Sequence, residues 1–184
     1  MKNQDETTLR VFDANIFLSG INFNLLEGKI YTTPNVIKEI DVKRYKDKNR
    51  NILTRIEAGL ESSQLIVKVP EAKYLKEIEQ VAKETGDFKA LSITDREVLA
   101  LALELSEEQT EKVLLYTDDY SMENVALELK IPFSQFFREG IKKKVKWEVF
   151  CPNCNLIYGP EDLFEKCEIC STKLKRRAIR KKKG

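Results

Sequence analysis

Leu9-Arg10-Val11-Phe12-Asp13-Ala14-Asn15 is the stretch that decides the fold. Three of the four residues from Leu9 to Phe12 are apolar, which suits a short buried strand. That strand ends on a carboxylate. Open α/β sheets bind their ligands at the carboxyl edge of the strands, so Asp13 would put a negative charge there. A second apolar run, Val113-Leu114-Leu115-Tyr116, ends in the same way, on Thr117-Asp118-Asp119. Two neighbouring strands of this kind would aim carboxylates into one crevice.

The elements between these runs alternate. Gly28 to Thr32 reads as a strand, and Thr33-Pro34 as an N-cap followed by proline at the first helical position. In the helix that follows, Val36, Ile37 and Ile40 share a face, with Glu39 on its border. A border carboxylate can face a cleft or plain solvent. Lys43 to Arg50 is polar and basic, and Ile52, Leu53, Ile56 and Leu60 then mark an amphipathic helix. Gln64 to Val69 is β-rich and closed by Pro70, and Glu71 to Glu84 is helical. Thr94 and Glu97 have capping-box spacing, at the start of a helix from Asp95 to Leu105 that is apolar nearly all round and therefore buried. Asp95 is either a first-turn carboxylate favoured by the helix dipole or part of a site at the core's edge. After Tyr116, one aspartate of the Asp118-Asp119 pair caps the next helix, which leaves the other spare. Ile131-Pro132-Phe133 adds an edge strand. The expectation is an α/β, Rossmann-like domain with a mainly parallel sheet and helices on both faces.

Composition narrows the chemistry. The 184 residues include no histidine, which removes Ser-His-Asp and Cys-His nucleophiles, histidine acid–base cleavage and histidine metal ligands. Met1 to Thr8 is polar, without the features of a signal peptide, and no apolar run is long enough to span a membrane. A cytoplasmic protein with no membrane partner is expected. The net charge of +2 is unevenly divided: residues 138–184 carry 14 Lys+Arg against 6 Asp+Glu, leaving 18 against 24 in residues 1–137. An acidic body with a basic tail suggests a polyanionic partner such as nucleic acid.

Cys151-Pro-Asn-Cys154 and Cys167-Glu-Ile-Cys170 form C-x₂-C…x₁₂…C-x₂-C. Four thiolates on two knuckles complete a closed tetrahedral zinc site, which leaves no position for substrate and is therefore structural, holding one Zn²⁺. Two disulfides are the disfavoured alternative. Trp147, Phe150 and Tyr158 pack around the knuckles or stack on bases. Lys142, Lys143, Lys144, Lys146, Lys173, Lys175, Arg176, Arg177 and Arg180 are expected to meet nucleic-acid phosphates, with Lys43, Arg44, Lys46, Lys48 and Arg50 as further candidates. The expected division is the α/β domain at 1–137, a basic linker at 138–146 and a zinc ribbon with basic tail at 147–184.

Asp13-Ala-Asn15 after a strand, Glu39 on the next helix, Ser92-x-Thr94-Asp95-x-x-Val98-Leu99-Ala100, and Thr117-Asp118-Asp119-Tyr120-Ser121 with Asn124-Val125-Ala126 together resemble a PIN-domain nuclease. With the four-cysteine ribbon behind it, nearly the whole chain resembles the archaeal Nin-one-binding protein family. Membership would imply an endoribonuclease that matures the 3′ end of small-subunit rRNA, with pre-rRNA and the small ribosomal subunit precursor as partners. Asp13, Glu39, Asp95 and Asp118 would then be the acids holding one or two Mg²⁺ or Mn²⁺ ions. Asn15 and Thr117 would orient them, and Asp119 would cap the helix or support the ligands. Glu123 stands where the family has Gln. A metal-activated water would leave 5′-phosphate and 3′-hydroxyl ends. The rivals are a toxin-type PIN ribonuclease with another RNA target, against which the cysteine module counts, and a catalytically silent RNA-binding scaffold. A haloacid-dehalogenase-type phosphatase needs an aspartate where Asn15 stands. Oligomeric state is open.

Overall fold

Leu9–Phe12 forms β1, and it lies in the middle of a five-stranded sheet. The computed structural model describes residues 8–42, 46–135 and 144–179. The other strands are β2 (Ile30–Thr32), β3 (Leu65–Val67), β4 (Val113–Tyr116) and β5 (Phe133–Ser134), in the order β3-β2-β1-β4-β5. Every pairing is parallel. Val11 and Phe12 point to opposite faces and are both fully buried, so both faces of β1 are covered, as a parallel sheet requires.

The helices are α1 (Ala14–Leu18), α2 (Pro34–Ile40), α3 (Lys46–Glu61), α4 (Ala72–Thr85), α5 (Ile93–Glu108) and α6 (Tyr120–Glu128). In α5, Val98 through Leu103 and Leu105 are all buried, which accounts for its all-round apolar sequence. Two boundaries differ from the sequence expectation. α3 begins at Lys46, inside the polar, basic stretch that precedes the expected apolar periodicity. Lys and Arg are good helix formers, and the buried Asn49 side chain donates to the Ile40 carbonyl at 2.9 Å, tying this first part of α3 to the end of α2. The capping box of α5 is Ser92 with Asp95 rather than Thr94 with Glu97.

Register fixes what stands at the carboxyl edge. Phe12 lies opposite Tyr116, and Val11 opposite Tyr31. The chain therefore leaves three adjacent strands at one edge through Asp13, Thr33 and Thr117.

Behind this body, β6 (Trp147–Phe150), β7 (Ile157–Tyr158) and β8 (Lys175–Ala178) make a small antiparallel sheet, order β7-β6-β8. Its core is Val149, Leu163 and Leu174 with Cys151 and Cys167. So small an apolar cluster cannot hold a fold on its own. Most of the expected linker at 138–146 falls outside the described residues. Its last three residues run against the body, with Lys144 paired to Glu128 at 3.1 Å. Among the described residues no helix is long and apolar enough to cross a membrane.

Candidate active site

Asp13 follows β1 and caps α1: the Ile16 N–H donates to its Oδ1 at 2.9 Å. The residue is 3% exposed, and its Oδ2 is buried with no hydrogen-bond partner. Its carboxyl is pushed up from 3.8 to about 6, first by burial and then by repulsion from Asp95 and Asp118. The Thr117 hydroxyl and the Ile16 N–H oppose that rise. Three acids spread over more than a hundred positions therefore act on one another across the edge of the sheet.

Asp95 is half-buried in the first turn of α5. Its Oδ2 accepts from the Ser92 N–H at 2.8 Å, and its own N–H donates to Ser92 Oγ at 3.1 Å. Asp118 is half-buried between β4 and α6. Asp119 is the N-cap of α6, its Oδ1 accepting from the N–H groups of Ser121 at 2.6 Å and Met122 at 3.4 Å. Thr117 is fully buried. Its hydroxyl accepts from the Asp119 N–H at 3.1 Å and approaches Met122 Sδ at 3.4 Å. Glu39 and Asn15 are exposed, on α2 and α1 respectively, and Glu39 is not among the principal charges acting on Asp13.

A cation fits the acid cluster. A buried carboxylate oxygen without a partner, beside two further carboxylates, is short of positive charge, and Mg²⁺ or Mn²⁺ takes oxygen ligands. The oxygens are not gathered as tightly as the cysteine sulfurs, which all lie within 4.8 Å of one another.

The four sulfurs also suit a metal. Cys151 and Cys170 Sγ are 3.4 Å apart, Cys154 and Cys167 3.5 Å, and Cys154 and Cys170 3.9 Å. These spacings are far beyond a disulfide. They approach the ~3.8 Å edge of a tetrahedron of sulfurs about 2.3 Å from a central zinc. The two knuckles share one geometry, with the residue after each second cysteine, Asn155 and Ser171, in a left-handed turn at φ 60° and 58°. Hydrogen bonding with the Thr172 hydroxyl, 3.3 Å away, is the largest influence lowering the Cys170 thiol, to about 5, which favours the metal-binding thiolate; Cys154 is pushed the other way by its contact with Cys151. Tyr158 packs on the cluster, its hydroxyl 3.1 Å from Cys167 Sγ.

A family model for the PIN domain of ribonuclease matches residues 10–105. The endoribonuclease Nob1 of Methanocaldococcus jannaschii is 36% identical over 172 residues, covering 94% of this chain and 79% of that protein. The chain belongs to the Nob1 family of PIN-domain endoribonucleases. Its yeast relative from Schizosaccharomyces pombe, 20S-pre-rRNA D-site endonuclease nob1, is 38% identical over 78 residues, 42% of this chain and 18% of the yeast protein. Ribonuclease VapC1 of Thermoplasma acidophilum is 34% identical over 173 residues, 94% of this chain and 79% of that protein. That match is long enough to span the positions of the four cysteines.

On this Nob1 fold the basic residues divide. Lys142, Lys143 and Arg180, with Lys43 and Arg44, lie outside the described residues. Lys146, Lys173, Lys175 and Arg177 are exposed; Lys173 lies over the Phe164 ring at 5.4 Å, and Arg177 pairs with Glu148 at 2.7 Å. Arg176 turns inward to Asp87, 2.8 Å away. Sequence reasoning missed the partners of Arg176, namely Asp87, Ser121 and Asn124. It also missed Thr33, fully buried at the sheet edge beside Asp13, whose hydroxyl neither caps α2 nor finds another partner. Only the register of the folded sheet brings Thr33 forward.

Proposed function

We propose that this chain is a divalent-metal-dependent endoribonuclease that cuts precursor small-subunit rRNA at its 3′ end. Asp13, Asp95 and Asp118 would hold the ion, with the exposed Glu39 as a fourth carboxylate. The observation that carries this reading is the Asp13 side chain: buried, one oxygen without a partner, and raised to about 6 by burial and neighbouring acids. When bound, Mg²⁺ or Mn²⁺ supplies an activated water for in-line attack and charge for the leaving oxygen. The residues themselves set the geometry. Ile16 N–H fixes one oxygen of Asp13 and leaves the other for the ion. The capping box fixes Asp95 through Ser92. Thr117 braces the Asp118-Asp119 turn through the Asp119 N–H. A water activated in this way would leave 5′-phosphate and 3′-hydroxyl ends, and the RNA 2′-hydroxyl is not required as nucleophile. The four cysteines would hold one structural Zn²⁺. Lys146, Lys173, Lys175 and Arg177 would contact phosphates alongside the basic residues outside the described set. Domains at 1–137 and 147–184, joined by the basic stretch 138–146, acting in the cytoplasm on the ribosome precursor, complete the reading.

The test is Mn²⁺-dependent cleavage of an RNA spanning the 3′ end of small-subunit rRNA. Wild-type protein should cut at one position, and Asp13→Asn should lose the activity by at least about 100-fold. Retained cleavage in that variant would remove the site assignment. A second reading, a ribonuclease with another RNA target, is favoured by the long match to a protein named VapC1. Preferential cutting of tRNA or mRNA over the rRNA fragment would select it.

A further inference from the structure

Arg176 lies on β8, 89 positions from its ion-pair partner. Its Nη1 donates to Asp87 Oδ1 at 2.8 Å, its Nη2 donates to Ser121 Oγ at 3.2 Å, and its guanidinium lies 4.6 Å from the Trp147 ring centroid. Asp87 is fully buried. Its second oxygen accepts from Asn124 Nδ2 at 2.6 Å. Asn124 pairs with the backbone of Val145 in both senses, its Nδ2 donating to the carbonyl at 2.7 Å and its Oδ1 accepting from the N–H at 2.8 Å. Next to Asp87, Gly86 has φ +80°, and a Cβ there would stand 2.5 Å from the Trp147 carbonyl oxygen. The ribbon backbone thus comes closer to the body than any side chain allows. A buried carboxylate is costly unless it is paired and hydrogen-bonded, and here the charge that pairs it comes from the ribbon.

The same contacts reach the acid cluster. Ser121 lies in the first turn of α6 and Asn124 in the next. That first turn is capped by Asp119, whose N–H is held by Thr117 at the end of β4. Asp118 stands between the two. Its backbone is fixed by β4 on one side and by the start of α6 on the other, and α6 is held from outside by Arg176 and Val145.

We propose that Arg176 is a positioning residue for the acid site: through Asp87 and Ser121 the ribbon holds the first turn of α6, and with it the Asp118 carboxylate. This rests on the reading of Asp13, Asp95 and Asp118 as a cation site. It gives the ribbon a part in catalysis besides carrying basic residues. It also takes Arg176 out of the RNA-binding set, because both of its terminal nitrogens and its flat face are already engaged.

The experiment is a Mn²⁺ titration of the zinc-loaded full chain, with kcat and KM for RNA cleavage, on wild type, R176K, D87N, S121A and the R176K/D87N double variant. R176K and D87N should each weaken Mn²⁺ binding and lower kcat by about 10-fold or more, the size expected when a partner of a ligand-bearing segment is lost. KM for RNA should change little, and the double variant should be no worse than either single one. S121A, which removes one hydroxyl, should shift both in the same direction by less. An Arg176 that contacts phosphate predicts a near-normal R176K, a silent D87N and a change confined to KM and its salt dependence; that result overturns the proposal. So does a fall in Tm with Mn²⁺ affinity intact. Wild-type protein that takes up no Mn²⁺ lost in D13N would instead overturn the reading of the acid site itself.

Discussion

Asp13→Asn should make this protein more stable while removing its activity. Asp13 is 3% exposed, and its carboxyl is raised from 3.8 to about 6, with burial as the largest cause. At about 1.36 kcal/mol per pKa unit, holding it ionised in the folded state costs about 3 kcal/mol at neutral pH. The sign follows from linkage. A carboxyl whose folded pKa lies above its unfolded one binds its proton more tightly when folded. Its contribution is therefore favourable below pH ~4 and is lost as pH rises through about 6. The asparagine of the variant is neutral, and its side-chain oxygen can still accept from the Ile16 N–H, so the α1 cap survives. Urea unfolding of wild type and D13N, without added divalent ions and with zinc in place, should favour D13N by about 1–3 kcal/mol at pH 8, a gap that shrinks by about half at pH 5. Adding Mn²⁺ should stabilise only wild type, by about 2.7 kcal/mol at a hundred times Kd. A variant less stable than wild type at pH 8, or a gap independent of pH, would refute the reasoning.

Three further outcomes are expected. Cys167→Ser should abolish binding of one zinc per chain, measured by elemental analysis, and unfold residues 147–179 in hydrogen exchange while the five-stranded sheet persists, since metal supplies about 10–16 kcal/mol in such small modules. Gly86→Ala combines a left-handed backbone with a Cβ 2.5 Å from the Trp147 oxygen, so it should cost about 2 kcal/mol or more by denaturation and loosen the ribbon from the body. Thr33→Val removes a buried hydroxyl without a partner and should leave Tm unchanged or raise it, by up to about 1 kcal/mol in stability.

What the sequence made legible follows from how local each signal is. The run Leu9–Phe12 and the carboxylate behind it are adjacent, so one stretch sufficed to place β1 and Asp13. The cysteine spacing is equally local. The start of α5 was harder, because Ser92-x-x-Asp95 and Thr94-x-x-Glu97 have the same form, and the fold chose the first while Glu97 accepts from Asn35 Nδ2 at 2.9 Å. The polar first turn of α3 carries no apolar periodicity, so the pattern marks this helix only from Ile52 onward. The docking of the ribbon could not be read at all: Arg176 looked like one more member of a basic run, and its partners lie 55 and 89 positions away. Glu39 on the border of its stripe was ambiguous in sequence, and in the fold it is exposed.

The central claim is that acids far apart in sequence share a cation at the carboxyl edge of one sheet. Anomalous difference maps from Mn²⁺-soaked crystals of the zinc-loaded protein test it directly. The account predicts a manganese peak within about 2.3 Å of Asp13 Oδ2, with oxygens of Asp95 or Asp118 completing the ligands directly or through water. A well-occupied manganese elsewhere, with Asp13 bare, would contradict it.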